Sequence, residues 1–530
     1  MAEMGCDILI VGGGTGGCAA AMVASSLGYR VILTEETDWV GGQLTSQAVP
    51  PDEHPWIEEF GCTGRYRRYR DTIRKLYRDT RSLTPGARGN LFLNPGGGWV
   101  SKLCHEPQIG WQALNLLLND SGAQGKLDIE LRTVAIRAES SNDKVQTVTL
   151  LNLDTGQQTV VTPKFVIDAT ELGDLLPLTG TEYVIGAESK SETQEPNAVD
   201  GPPQPDNVQG LTWVFAMAHD DGSHRVIDRP AQYDRWRDFQ PEFWPGPFFG
   251  FTDINPVTNQ PRNLPMMGGS VNWYKGDFGL FSYRQIVDPG IFADGSQPHP
   301  VTIVNWPQND YFIESILDRP PADVSRCLDD ARQLSLSLLY WLQTEAPRHD
   351  GGTGYPGLYL RPDITGTDEG LAKAPYIRES RRIRARTTIL EQHVAQYTNP
   401  GADRAPSYRD SVGIGSYRLD LHPSTNGVSY IDTATLPFEI PLGSLIPIRM
   451  RNLLPACKNL GVTHMTNGCY RLHPIEWNIG ESAGALAAFC LSRLVEPHEV
   501  ADSVELTAEF QGLLDDQAVE IHWPANEKLM

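Results

Sequence analysis

Residues 7–11 (DILIV) turn uniformly apolar after Asp7, the pattern of a short strand buried in a parallel sheet. The run leads directly into Gly12-Gly13-Gly14-Thr15-Gly16-Gly17 and then AAAMVASSL (residues 19–27), whose small residues predict a closely packed helix. A second strand is predicted at 30–33, ending on Glu35 and Glu36. Residues 128–137 (DIELRTVAIR), 145–151 (VQTVTLL) and 159–161 alternate in the manner of strands and precede Val166-Ile167-Asp168-Ala169-Thr170. Near the C-terminus Asn452-Leu453-Leu454-Pro455 is followed by a stretch in which a helix is predicted to start at Gly480, with Glu481 in its first turn.

Gly12, Gly14 and Gly17 satisfy G-x-G-x-x-G, here between a strand and a helix, and Glu35 follows 18 residues after Gly17. Each position has a physical task. Gly12 makes the tight turn, Gly14 lets backbone approach a pyrophosphate, and Gly17 lets helix and strand pack closely. The helix N-terminus offers free N–H groups to phosphates, and Glu35 can accept hydrogen bonds from ribose hydroxyls. Strand, glycines, helix, strand and acid occur in order, so a bound dinucleotide is expected.

Three segments together resemble the FAD-dependent oxidoreductases of the glutathione-reductase-like superfamily: the fingerprint with Gly41-Gly42 close behind Glu35, the strand ending in Asp168-Ala169-Thr170, and the C-terminal run Asn467–Ala488. The likeness is nearest to a large bacterial group, through Trp306-Pro307-Gln308-Asn309-Asp310, Tyr376-Ile377-Arg378-Glu379-Ser380-Arg381-Arg382 and Arg471. It implies an α/β fold, with a glutathione-reductase-type, Rossmann-like FAD-binding domain and a large inserted α+β substrate or cap domain. It also implies non-covalent FAD held by Gly12, Gly14, Gly17, Glu35, Gly42, Gln43, Val134, Ala169, Asn478, Gly480, Glu481 and Gly484. Where the family more often has Gly, this chain has Glu171. His54 and Cys62 lie close enough to the Gly-Gly segment to be weighed as covalent attachment points.

The expected domains are 1–190 (FAD-binding, with an insertion at 61–124), 191–430 (substrate or cap), 431–495 (the FAD-binding return) and 496–530 (helix and tail). The polar, Pro-rich SETQEPNAVDGPPQPDN at 191–207 marks the entry to the insert. Thirteen aromatics crowd residues 233–283, Trp273, Tyr274 and Phe278 among them; they form either a planar-substrate pocket or the core of a small domain. The arginines of 65–81 form either a solvated helix face or a docking site for phosphate. Arg378, Arg381 and Arg382, interleaved with Glu379, form either an ion-pair network or a site near flavin or a substrate carboxylate. Gly352, Gly354 and Gly357 match the fingerprint letters but read as a turn, since polar residues precede them and Pro356 interrupts.

Charge and composition narrow the functional classes. Lys+Arg 44 against Asp+Glu 66 gives a net charge of −22, which argues against nucleic-acid or anionic-membrane partners. No apolar run suits a membrane span and no leader pattern opens the chain, so the cytoplasm is the expected compartment. Eight scattered cysteines without a C-x-x-C pair read as reduced, buried residues, and no metal-ligand spacing stands out.

The expected activity is dehydrogenation of a small organic substrate by hydride transfer to flavin N5. His464 or His473 would take the substrate proton, and Arg378 would lie near the reaction; His422 completes the histidines that lead back to the flavin domain. The alternatives are an NAD(P)H-dependent monooxygenase and a non-catalytic electron-transfer or assembly flavoprotein. The chain could pair as a homodimer.

Overall fold

The computed structural model describes residues 2–122, 125–267, 279–348 and 350–525, together with Glu527 and Leu529. Strand β1 (Ala2–Val11) runs into helix α1 (Thr15–Ser26) and returns as β2 (Val31–Glu35). Helices α2 (Gly64–Thr80) and α3 (Pro107–Ser121) intervene before β3 (Leu127–Leu131), β4 (Thr133–Ser141), β5 (Lys144–Asn152) and β6 (Gln158–Asp168). The sheet order is β3-β2-β1-β6-β5-β4. The first four strands are parallel, with Leu9 opposite Ile32 and Val166. This is a mixed α/β architecture with a Rossmann-like parallel core.

Two details differ from the sequence expectation. The run at 128–137 is not one strand, because Arg132 adopts a φ of +54° and breaks it. Residues before the break extend the parallel sheet, and those after it form an antiparallel hairpin with β5. Conversely, 159–161 and 166–168 belong to one long strand, β6. Its first half pairs with β5, while its second half pairs in parallel with a strand from near the C-terminus.

A second, four-stranded antiparallel sheet is built from β7 (Phe215–His219), β8 (Gln285–Val287), β9 (Val301–Val304) and β10 (Leu358–Leu360), in the order β8-β9-β7-β10. Helix α4 (Pro321–Thr344) covers one face. Tyr233, Trp236, Trp244, Phe248, Phe249 and Phe281 are buried in that layer, with Phe239, Phe243 and Phe251 packed against it. Among the described residues the aromatic crowding is therefore mostly core, since large rings supply the apolar area that short strands lack. Trp273, Tyr274 and Phe278 lie outside the described residues. Valines and alanines on the opposite face of this sheet belong to the same core as the first sheet's helices.

The chain then returns through β11 (Leu453–Pro455), which joins β6, and through helices α5 (His464–Tyr470) and α6 (His473–Arg493). Helix α6 starts at His473, with Pro474 in its first turn, so Gly480 and Glu481 lie mid-helix rather than at its start. Proline suits the first turn because its missing N–H would have no intrahelical partner there. Helix α7 (Val504–Asp516) follows, and the tail beyond it tucks Trp523 against His54, Trp56 and Phe60.

Helices α1 and α6 cross at backbone contact. A Cβ at Gly480 would run into the Gly16 carbonyl, and one at Gly484 would lie 2.5 Å from the Ala20 oxygen. Gly480→Val is expected to cost about 1–3 kcal/mol by overpacking. In contrast, Gly512→Ala, in helix α7 where a Cβ meets nothing, gains up to about 1 kcal/mol of helix propensity. Urea-unfolding midpoints of the two variants check this: the first falls and the second holds or rises.

Candidate functional site

The site grows from the turn after β1. Gly12 has a φ of +103°, a region L side chains avoid, and a Cβ there would strike the Ala169 carbonyl. The Gly12 amide donates to Thr34 Oγ1 at 3.3 Å, and the Gly13 amide donates to Glu35 Oε2 at 3.1 Å. Gly14 caps α1 without a side chain, so the first turn keeps its N–H groups and partial positive charge free of an intrinsic cap. Gly17 lies against the Gly12 carbonyl, which brings helix and strand together as the fingerprint requires.

A cavity of about 390 Å³ opens in front of this turn, lined by Gly12, Gly14, Glu35, Gly42, Val134 and Ala169 among others. Glu35 Oε1 accepts from the Thr37 amide at 2.8 Å and its hydroxyl at 2.7 Å. Burial pushes Glu35 up to about 7, against the pull of those donors. An uncapped helix end, a glycine turn and a carboxylate at the end of the second strand suit a dinucleotide, with phosphates at the first and hydroxyls at the last.

Glu171, in the position the resemblance marked as a departure, reaches into the same place. Its Oε1 lies 2.8 Å from where a Cβ of Gly14 or of Gly42 would stand. Lys458 pairs with it and, at 3.2 Å, with Glu476. Burial opposes the Lys458 charge, yet the two carboxylates outweigh it and hold its pKa above the ordinary value.

The residues expected from α6 do not line this cavity. Gly480 and Gly484 are the crossing points with α1. Asn478 Nδ2 donates to Ser482 Oγ at 3.2 Å, and its Oδ1 accepts from the Ile414 amide at 3.1 Å. Glu481 pairs with Arg65 at 2.6 Å and accepts from Trp477 Nε1 at 3.1 Å. In this structure these four serve as packing and anchoring positions outside the cavity lining. Gln43 is buried beside the cavity, where its Nε2 donates to the Arg471 carbonyl at 3.1 Å. His54 binds the Gly61 carbonyl and Cys62 is buried; neither lines the cavity. All eight cysteines are free and buried.

The two histidines expected as bases are held elsewhere. His464 Nδ1 lies 2.9 Å from Glu379 Oε2, within a network in which Glu379 also pairs with Arg382, and Arg382 with Glu188. Burial would raise Glu379, but His464 and Arg382 overcome it and bring it down to about 2. His473 is fully buried, and its Nδ1 accepts from the Asp52 amide at 3.0 Å. In the neutral ring the proton therefore sits on Nε2, and burial lowers the pKa to about 3, so this imidazole is a poor proton acceptor.

A different polar cluster gathers where the second sheet meets the start of α6. Arg378, 1% exposed, pairs with Asp310 at 3.0 Å and donates to the Gly210 carbonyl and Thr212 Oγ1, both at 2.8 Å. The other Asp310 oxygen holds His422 Nδ1 at 2.6 Å, leaving Nε2 facing Asp420 Oδ2 at 3.8 Å. Arg471 donates to Tyr376 OH at 2.7 Å and pairs with Asp420 at 3.5 Å. Arg284 and Asp52 stand close by, interacting electrostatically with the same groups. Tyr283, Arg284, Tyr417, Asp420 and His422 all keep some exposure, so the cluster borders a cleft. Sequence reasoning noted Arg378, His422 and Arg471 but missed Asp52, Arg284 and Asp420, which no local pattern links.

The basic stretch at 65–81 is a solvated face only in part, with Arg68 and Lys75 exposed. Arg70 and Arg74, each 2% exposed, are buried in ion pairs with Glu53 and Glu58. Gly354 adopts a φ of +72°, and a turn at Pro356 and Gly357 follows, as expected for that stretch. Among the described residues no helix is long and apolar enough to cross a membrane, and no His, Cys, Asp and Glu group is arranged to hold a metal ion.

Comparison with known proteins places this geometry in context. Structural searching finds similarity to a geranylgeranyl bacteriochlorophyll reductase-like protein from Thermoplasma acidophilum, with 11% identity over 97% of this chain and 84% of that one, and a TM-score of 0.33. It also finds L-proline dehydrogenase from P. horikoshii, with 15% identity over 35% of this chain and 24% of that one, and a TM-score of 0.17. Adenylylsulfate reductase from Archaeoglobus fulgidus shows 20% identity over 32% of this chain and 30% of that one, with a TM-score of 0.21. The chain thus spans less than a third of the length of the latter two. A search of curated proteins returned no match. The family model for FAD dependent oxidoreductases matches residues 7–514, nearly the whole sequence. The chain belongs to the FAD dependent oxidoreductase family and is an FAD-using oxidoreductase.

Proposed function

We propose that the enzyme oxidises a small organic substrate at a C–H bond next to N or O, with FAD in the glycine-turn cavity and residues 191–430 acting as the substrate domain of a glutathione-reductase-type fold. Glu35 would take the ribose hydroxyls. The backbone at Gly12, Gly14 and Gly42 would meet the pyrophosphate, with Gly17 keeping α1 against the turn, and Val134 and Ala169 would lie beside the adenosine. Bound there, FAD supplies the two-electron acceptor that takes hydride at flavin N5.

The observation that carries the reading is the His422–Asp310 pair at the cleft. With Nδ1–H donated to Asp310, the Nε2 lone pair is free to accept a proton. Burial first, and then the neighbouring Arg378, lower the His422 pKa, so the ring is neutral and able to act at pH 7. His422 thus replaces His464 and His473 as the proposed base, and Arg378 orients it through Asp310 rather than meeting substrate. Substrate X–H loses its proton to His422 as the adjacent carbon loses hydride, leaving a C=X double bond.

Two outcomes test this. Purified protein is expected to hold one FAD per chain and to stay oxidised after anaerobic NADPH addition; rapid bleaching would favour a reductase or monooxygenase. In addition, Glu171 sets a carboxylate against the phosphates at the end of α1. Glu171→Gly is therefore expected to tighten FAD binding by roughly three- to thirty-fold, the equivalent of about 0.7–2 kcal/mol. Fluorescence titration of apoprotein reads the change, and equal or weaker binding contradicts it.

A further inference from the structure

Of the arginines around the cleft, Arg284 differs from the others in what surrounds its charge. Arg378 has Asp310 and Arg471 has Asp420. Arg284 forms no ion pair among the described residues; its one hydrogen bond runs from a terminal nitrogen to the Asn305 carbonyl at 2.8 Å. Its Nε is buried without an acceptor, as are the Nε atoms of Arg378 and Arg471. A buried donor left unmade costs about 1–3 kcal/mol, more for a charged group, so a partly exposed guanidinium with a single protein hydrogen bond favours a ligand that accepts from it.

The sign of the charge follows from what can and cannot ionise. A guanidinium does not give up its proton in proteins. Asp52 interacts electrostatically with Arg284 but forms no ion pair with it among the described residues. Among the described residues the Asp52 side chain has no hydrogen-bond or ion-pair partner, whereas Asp420 is engaged by Arg471 and faces His422. Arg284 is therefore the guanidinium of this cluster that has no ion-pair partner among the described residues. Tyr376 OH, which accepts from Arg471, keeps that second guanidinium oriented across the cleft.

We infer that Arg284, with Arg471 and Tyr376 beside it, binds a carboxylate of the substrate, so that the enzyme acts on small organic acids. This rests on the reading of the His422 cleft as the substrate site. A guanidinium offers parallel N–H donors that match the two oxygens of a carboxylate, which fixes orientation as well as affinity. The carboxylate would anchor one end of the substrate, while the bond to be oxidised faces His422.

The test uses holoenzyme and matched probes: benzoate and succinate against benzamide and succinamide, followed by calorimetric titration and by the flavin difference spectrum. At least one carboxylate is expected to bind one-to-one, at least 100-fold tighter than its amide. Arg284→Gln should weaken that binding at least ten-fold with FAD content unchanged. Arg284→Gln removes only one protein hydrogen bond, and Tyr376→Phe provides a second variant, expected to weaken binding about three-fold or more. Carboxylates that bind no better than amides, or that bind Arg284→Gln as they bind wild type, overturn the inference. A protein that holds FAD yet ignores every carboxylate sinks this site and leaves the flavin reading standing; one that binds carboxylate through Arg284 without taking up FAD does the reverse.

Discussion

Everything at the centre of this protein depends on backbone meeting backbone where helices α1 and α6 cross. Gly16 and Gly480 touch with no room for a side chain on either, and Gly484 repeats the contact against Ala20 one turn later. Gly12, in turn, lies against the Ala169 backbone at the end of β6. Three segments far apart in the sequence are thereby brought to one point: the glycine turn, the Asp168-Ala169-Thr170 crossing and the C-terminal return. The cavity is the space left in front of that point. A methyl group at either crossing would push the helices apart and separate the walls of the cavity.

The second constraint is electrostatic. A chain with net charge −22 nevertheless buries Arg70, Arg74, Arg378, Arg382, Lys458 and Arg471. Taking such groups out of water is costly unless each finds a partner, and breaking a buried pair leaves an exposed debt of several kcal/mol. The acids Glu53, Glu58, Asp310, Glu379, Glu476 and Asp420 supply those partners, some from nearby in the chain, as Glu379 does for Arg382, and some from separate segments, as Asp310 does for Arg378 and Asp420 for Arg471. Within that pattern Arg284 stands out because it forms no ion pair among the described residues, although Asp52 interacts with it electrostatically. Glu171 stands out for the opposite reason, as a carboxylate aimed at the end of a helix suited to anions.

Much of the cofactor side was legible in the sequence, because strand, glycine turn, helix and strand follow one another within 35 residues and each leaves a local pattern. Helix α6 shows where locality misleads. Its small residues at Gly480 and Gly484 signal close packing, but the start is marked by Pro474, seven residues after Asn467 and six before Gly480. Arg132 shows a smaller failure, since a left-handed residue splits an alternating run without changing its alternation. The aromatics of 233–283 looked like a pocket or a core by composition alone, and only packing against α4 decides for core. The cleft was least legible. Asp52, Arg284, Asp420 and Arg471 come from four separate segments, and nothing in the spacing of one refers to another.

A crystal structure of the FAD complex tests the central claim most directly, because the claim joins the two sites into one. The account predicts adenosine against Glu35 and Val134, phosphates at Gly12–Gly14 with Glu171 displaced from them, and the flavin ring edge opening onto the Arg284–His422 cleft. A flavin bound with its ring turned outward to solvent, or with the cleft closed off from N5, would contradict it.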